Sequence, residues 1–204
     1  MTDSEHQLTY EWKKKFDRKT KKVFIESLST LITEQGAMKL VEVAGIYAKN
    51  DWMRILIGKN GNNDVAAILA LYFEPIHGSH EGWICVNPKF RKLGYGDKLF
   101  QEFDRTAFEN GVRIFRADAT MTYTHAQKYL YKRGYKAIGY TPMSFSFLNE
   151  KSMGSAVTIW KIMDPNLKAR YKEEKNVSLN WEDQRWKAIR PHPEQETNEF
   201  EFYW

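Results

Sequence analysis

The chain is poor in cysteine, has no long apolar run and contains no repeat or low-complexity segment. Its single cysteine, Cys85, excludes an internal disulfide and any metal site built from several thiolates, and agrees with a reducing compartment. No apolar stretch approaches the roughly 20 residues needed to cross a bilayer, and the polar start Met1-Thr2-Asp3-Ser4-Glu5-His6 lacks the apolar region of a secretion signal. A soluble, cytoplasmic protein without a membrane partner is expected. What the chain does have is aromatic: 15% of its 204 residues, with 7 Trp, enough large side chains to fill a core and too many for a disordered polymer. The length suits one domain with extensions.

The formal charge of +5 favours an acidic partner such as a nucleotide cofactor, tRNA or DNA. Its distribution is uneven. Lys13, Lys14, Lys15, Arg18, Lys19, Lys21 and Lys22 crowd the beginning, whereas residues 191–204 hold Glu194, Glu196, Glu199 and Glu201 and no Lys or Arg. The basic cluster reads either as a solvated helix face or as a nucleic-acid surface.

Hydrophobic spacing organises the rest. Trp12, Phe16, Val23, Phe24, Leu28, Leu31 and Ile32 predict a helix over residues 10–35 that ends at Gly36, followed by a second helix over 37–49. Residues 52–57 and 65–73 read as antiparallel strands joined by a Gly/Asn-rich turn. A strand at 83–86, a helix at 96–110 and a strand at 112–121 form a crossover unit with parallel strands. A helix at 124–133 and strand candidates at 136–140, 145–148 and 156–163 complete an α/β fold with a mixed sheet. Beyond residue 163 the character changes. The extension 164–204 carries Trp181, Trp186, Phe200, Phe202, Tyr203 and Trp204, and is expected to dock on the domain 1–163, on a second copy of the chain or on another partner.

The most informative stretch is Val86-Asn87-Pro88-Lys89-Phe90-Arg91-Lys92-Leu93-Gly94-Tyr95-Gly96-Asp97. A strand ends, and a basic, glycine-spaced turn opens a helix. Glycines let backbone N–H groups approach an anion, the first helical turn offers unpaired donors and a positive dipole end, and Arg91 and Lys92 add charge. Such a turn suits a pyrophosphate.

Together with the later Lys132-Arg133-Gly134-Tyr135, this order resembles the GNAT acyltransferase superfamily over residues 40–162, specifically between 84 and 136. Val86, Pro88, Arg91, Gly94 and Gly96 match the family's pyrophosphate turn, and Ala126, Lys132, Gly134 and Tyr135 its later segment. The tyrosine often used there as general acid is replaced by Leu130, and the asparagine three residues before the alanine by Tyr123. The resemblance implies a GNAT-like acyl-CoA N-acyltransferase fold with an N-terminal helical hairpin, and two strands that part to admit a pantetheine arm. It also implies acetyl-CoA or another acyl-CoA as co-substrate, without a metal. Cofactor contacts are then expected from Cys85, Val86, Arg91, Lys92, Leu93, Gly94, Tyr95, Gly96 and Asp97, with strand amides at Cys85 and Val86 near the thioester carbonyl.

Acyl transfer to an amine needs a proton acceptor and an acid for the leaving thiolate. Glu81 lies on the strand leading to the turn, on the face of Trp83 and Cys85, where burial against Trp83 would raise its pKa; as a base it competes with the role of a solvated turn residue. His77 and His80 are alternatives in the same place, and with Glu81 make an unconvincing metal set. Tyr131, adjacent to the replaced position, is the first choice of acid, ahead of Tyr129, Tyr123 and His125. Asp118 would steer a cationic substrate or form a surface ion pair. The reading is an N-acyltransferase, most simply an acetyltransferase, acting on a small, protein or nucleic-acid amine. Its rivals are a catalytically degenerate assembly protein and a phage-type nucleic-acid-modifying relative.

Overall fold

Asp17 fixes where the first helix begins: its carboxylate accepts from the Thr20 amide at 2.8 Å, an N-cap that satisfies a donor no helical carbonyl can reach. The residues before it form strand β1, Thr9–Lys13, and helix α1 runs from Arg18 to Leu28. The helix expected over 10–35 is therefore a strand plus a shorter helix. Gly36, expected to terminate it, lies inside α2, Glu34–Lys49, in a first turn that has no left-handed residue.

The structure, a computed structural model, describes residues 7–30, 34–120, 124–146 and 153–170. After α2 come β2 (Met53–Lys59), β3 (Val65–Glu74), β4 (Ser79–Val86), α3 (Tyr95–Thr106), β5 (Ile114–Thr120), α4 (Thr124–Lys132), β6 (Lys136–Ser146) and β7 (Met153–Ile162). They build a seven-stranded mixed sheet in the order β1-β2-β3-β4-β5-β7-β6, in which only β4 and β5 are parallel. The two strand candidates at 136–140 and 145–148 are one strand up to Ser146, with its register against β7 shifting at two places; residues 147–148 lie outside the described residues.

Both faces of the sheet are covered. Ile55, Ile57, Ile68, Ala70 and Cys85 pack with Phe24, Leu28, Ala37 and Val41 of α1 and α2. Leu56, Leu69, Leu71 and Phe115 pack with Leu99, Phe100 and Phe103 of α3 and Leu130 of α4. This explains why β2 and β3 read as nearly continuous apolar runs rather than as alternations. The β2–β3 turn is held by the Asn60 side chain, which accepts from the amides of Asn62 (3.1 Å) and Asp64 (2.9 Å).

The chain divides into two units, Met1–Asp164 and Pro165–Trp204. Of the second, residues 165–170 are helical, and its aromatic segment lies outside the described residues. Among the described residues no helix is long and apolar enough to cross a membrane.

Candidate active site

All eight residues of β4 pair with β3, but only His80 and Glu81 pair with β5, opposite Phe115 and Arg116. The separation begins at Gly82. A Cβ there would lie 2.3 Å from the Ala70 carbonyl oxygen and 2.8 Å from Leu71 Cδ2, so β4 presses against β3 as only glycine permits. Beyond Glu81, β4 and β5 share no further ladder pair, while β5 stays paired with β7 on its other edge from Ile114 to Thr120. This is the parted pair of strands that the resemblance implied.

The strand period tells which amides look into the gap. Asn87 N donates to Ala66 O of β3 at 2.9 Å, so by alternation Cys85 also faces β3 and Val86 faces the gap. Of the two amides expected near a thioester, Val86 is the one so directed. The Cys85 side chain is buried, and burial pushes its thiol well above the ordinary range; it stays protonated and packs as a small apolar group.

At the end of β4 the chain makes a short 3-10 turn, Pro88–Phe90, before the glycine turn. Asn87, unremarked in the sequence, anchors it. Its side chain is buried, accepts from Lys89 N at 3.1 Å and donates to Val65 O at 2.9 Å. Lys92 (φ 65°) and Gly94 (φ 76°) are both left-handed, and Gly94 is the residue from which α3 starts. The first intrahelical bond runs from Lys98 N to Gly94 O, which leaves the amides of the preceding turn pointing ahead of the helix at its positive end. Gly96 sits against the strand, where a Cβ would come within 3.2 Å of Val86 Cγ2.

The side chains of the turn divide by role. Leu93 is exposed, and Tyr95 is buried against Phe90, so its ring belongs to the core. The Arg91 guanidinium turns towards α1: Nη2 donates to Thr30 Oγ1 at 2.7 Å and to Ser27 O at 3.3 Å, and Nε to Val86 O at 3.4 Å. Asp97 accepts from Tyr129 Oη (2.7 Å), Gln101 Nε2 (2.8 Å) and Arg133 Nη2, and the Arg133 contact holds its carboxyl below the usual carboxylate range. Arg133 lies 4.9 Å from the centre of the Tyr129 ring and also reaches Asp104 at 3.4 Å. It fastens α4 to the first turn of α3. Sequence reasoning passed over Arg133, whose partner is 36 residues away.

On α4, Leu130 points into the core, and the neighbouring tyrosines turn away from it in opposite directions, as about 100° per residue requires. Tyr129 faces α3, where burial pushes its phenol up; Tyr131 is 46% exposed. Tyr123 and the side chain of His125 lie outside the described residues.

Where the strands part, Glu81 meets three groups. Its Oε2 accepts from Tyr72 Oη at 3.1 Å, its Oε1 lies 3.3 Å from Arg116 Nη1, and His77 Nδ1 is 3.9 Å away. The carboxylate thus rests between a guanidinium and a phenol rather than in the apolar setting expected beside Trp83. Burial, then the Glu81 charge, push the Tyr72 phenol upward. His80 belongs to the opposite face. It is buried beside Phe73, and burial followed by the Arg54 charge lowers its pKa to about 4. It cannot share the Glu81 site. Asp118, two residues beyond Arg116 on the same face, is exposed and accepts from Thr158 Oγ1 at 2.7 Å.

Among the described residues, no group of three or more His, Cys, Asp or Glu side chains could hold a metal ion. Much of the basic cluster is ion-paired: Lys13 with Glu11 and Asp17, Lys14 with Asp51 at 2.8 Å, Lys19 with Asp64 at 3.5 Å and Lys22 with Glu26 at 3.8 Å. That arrangement fits a solvated surface.

Residues 14–135 match the model of the acetyltransferase (GNAT) family. No curated protein matches the chain by sequence. Among solved structures, the chain is similar to the spermidine/spermine N-acetyltransferase of Vibrio cholerae in complex with manganese ions, at 14% identity and a TM-score of 0.63, covering 81% of this chain and 98% of that one. The spermidine N-acetyltransferase of Vibrio cholerae in complex with CoA and spermine gives 12% identity and a TM-score of 0.62, with 77% and 96% covered. A candidate phosphinothricin N-acetyltransferase gives 16% identity and a TM-score of 0.58, with 76% and 99% covered.

Proposed function

The chain belongs to the GNAT acetyltransferase family and is an acyl-CoA-dependent enzyme, and from that premise we propose that it moves an acetyl group from acetyl-CoA to a small amine by direct attack. The reading is carried by one observation: β4 keeps two rungs with β5, then parts from it and ends in a glycine turn that opens α3. The amides of the turn and the start of α3 are suited to the diphosphate, with Lys92 adding charge. The edge of β4 at Ile84 and Val86, beyond its last rung with β5, is suited to the amide-bearing pantetheine arm, which would hydrogen-bond there as a strand would.

Glu81 is the proposed base. It takes the proton as the amine nitrogen bonds to the acyl carbon, directly or through one water, and the Tyr72 hydroxyl orients it. Val86 N–H supports the oxyanion that develops before the carbon–sulfur bond breaks. Tyr131 is the proposed donor of the proton that the departing thiolate takes up; among the described residues its hydroxyl has no hydrogen-bond partner, while that of Tyr129 is committed to Asp97. Calorimetry with acetyl-CoA tests the whole. Binding is expected, weakened by Arg91→Glu, and failure to bind any acyl-CoA would transfer support to an assembly role.

A further inference from the structure

We propose that the acceptor amine also carries a carboxylate, as an α-amino acid does, and that Arg116 holds it. This rests on the acetyltransferase reading and concerns the same site. Arg116 stands on the last rung joining β5 to β4, at the point where the strands part and where the acyl end of the co-substrate belongs. Its guanidinium is incompletely used. Nη1 lies 3.3 Å from Glu81, longer than the usual 2.7–2.9 Å of a charge-assisted bond, and Glu81 shares its other oxygen with Tyr72. Nε is buried, with accessible area below 1 Å², and among the described residues it has no hydrogen-bond acceptor. A buried donor of this kind is normally satisfied, and the exposed part of the guanidinium can bind a carboxylate in two places through its paired terminal nitrogens.

The neighbours complete the argument. Glu81, the proposed base, shares the rung with Arg116, so a cation and a carboxylate sit side by side as the two charged groups of an amino acid do across a single carbon. Asp118, one period further along β5 on the same face, offers a second acceptor for an ammonium group. Tyr72 and Tyr47, with ring centres 5.1 Å apart, supply aromatic surface near Glu81 for a side chain. An unsubstituted diamine would bring a second positive charge towards the guanidinium.

The test uses the full chain, acetyl-CoA, and acceptor pairs that differ only in the carboxylate: lysine and cadaverine, phenylalanine and phenethylamine, valine and isobutylamine. The amino acid of at least one pair should be preferred by about 10⁴-fold in kcat/KM, the discrimination a site shows when its polar group would otherwise stay unpaired. Arg116→Gln should abolish the preference through KM for the amino acid. Arg116→Lys, which keeps the charge and loses the fork, should restore only part of it. Equal loss on both members of a pair would make Arg116 a structural ion-pair partner and overturn the proposal, as would preference for the plain amine throughout. If nothing in the panel is acetylated, an Arg116-dependent rise in melting temperature of the CoA-saturated protein with the amino acids is still required, and its absence is equally fatal. Binding of acetyl-CoA without carboxylate preference defeats this inference alone; no binding defeats the acetyltransferase reading.

Discussion

Glu81 and Tyr72 face each other across β4 and β3, the phenol donating to the carboxylate at 3.1 Å. The contact fixes one oxygen of Glu81 and leaves the other towards Arg116 and the opening between the strands. Glu81→Gln keeps the shape of the side chain and removes its basicity. Turnover should fall by about 100-fold or more, the usual weight of a positioned base, with acetyl-CoA affinity nearly unchanged. Steady-state kinetics beside calorimetry decides, and an unaltered kcat takes Glu81 out of the mechanism.

Tyr131 and Tyr129 separate by the same kind of measurement. Tyr131→Phe should lower kcat by at least about 100-fold at neutral pH, the lower end of the range of acid–base catalysis. Tyr129→Phe removes a hydrogen bond to Asp97 in the first turn of α3 and should act on KM for acetyl-CoA instead. Reversal of this pattern would exchange the two roles.

The glycines of the site should fail for different reasons. Gly94→Ala meets open space but must hold φ 76°, so it should cost about 1–2 kcal/mol of stability and weaken acetyl-CoA binding by disturbing the turn. Gly82→Ala drives a methyl group onto the Ala70 carbonyl and should cost about 3 kcal/mol, the upper end for an overpacked site. Chemical denaturation ranks them, and the opposite order would mean that β4 relaxes at Gly82.

His80 predicts an acid-sensitive fold. Its pKa of about 4 in the native state, against the ordinary 6.5, means that the unfolded chain binds a proton more readily. The stability from keeping it neutral is fully present above pH 6.5 and drains away as pH falls towards 4, to a total of about 3 kcal/mol. His80→Phe should flatten denaturation midpoints over that window. A variant with the wild-type slope would assign the loss to carboxylates instead.

What the sequence disclosed was local. The β2–β3 hairpin announces itself through an Asn/Gly turn between apolar runs, and the cofactor turn through a strand end, a proline and two glycines within a few residues. The missed features depend on distant partners. Trp12 and Phe16 fit a helical spacing, yet Trp12 belongs to a strand whose neighbour is Leu56, and its indole nitrogen donates to Thr106 Oγ1 at 3.1 Å. Glu81 could be found from the two-residue period of its strand, but Tyr72 and Arg116, which define its surroundings, lie on other strands. Gly82 takes its meaning only from the close approach of β3, which no local pattern announces.

The two-rung seam between β4 and β5 makes the sheet two wings, β1 to β4 and β5, β7, β6, that share little backbone bonding of their own. An occupied cleft would suture them, so acetyl-CoA should act as a fold stabiliser as well as a reagent. At 100 times its Kd the melting curve should rise by the equivalent of about 2.7 kcal/mol, and amide exchange should slow on Ile84 and Val86 before it slows on β2.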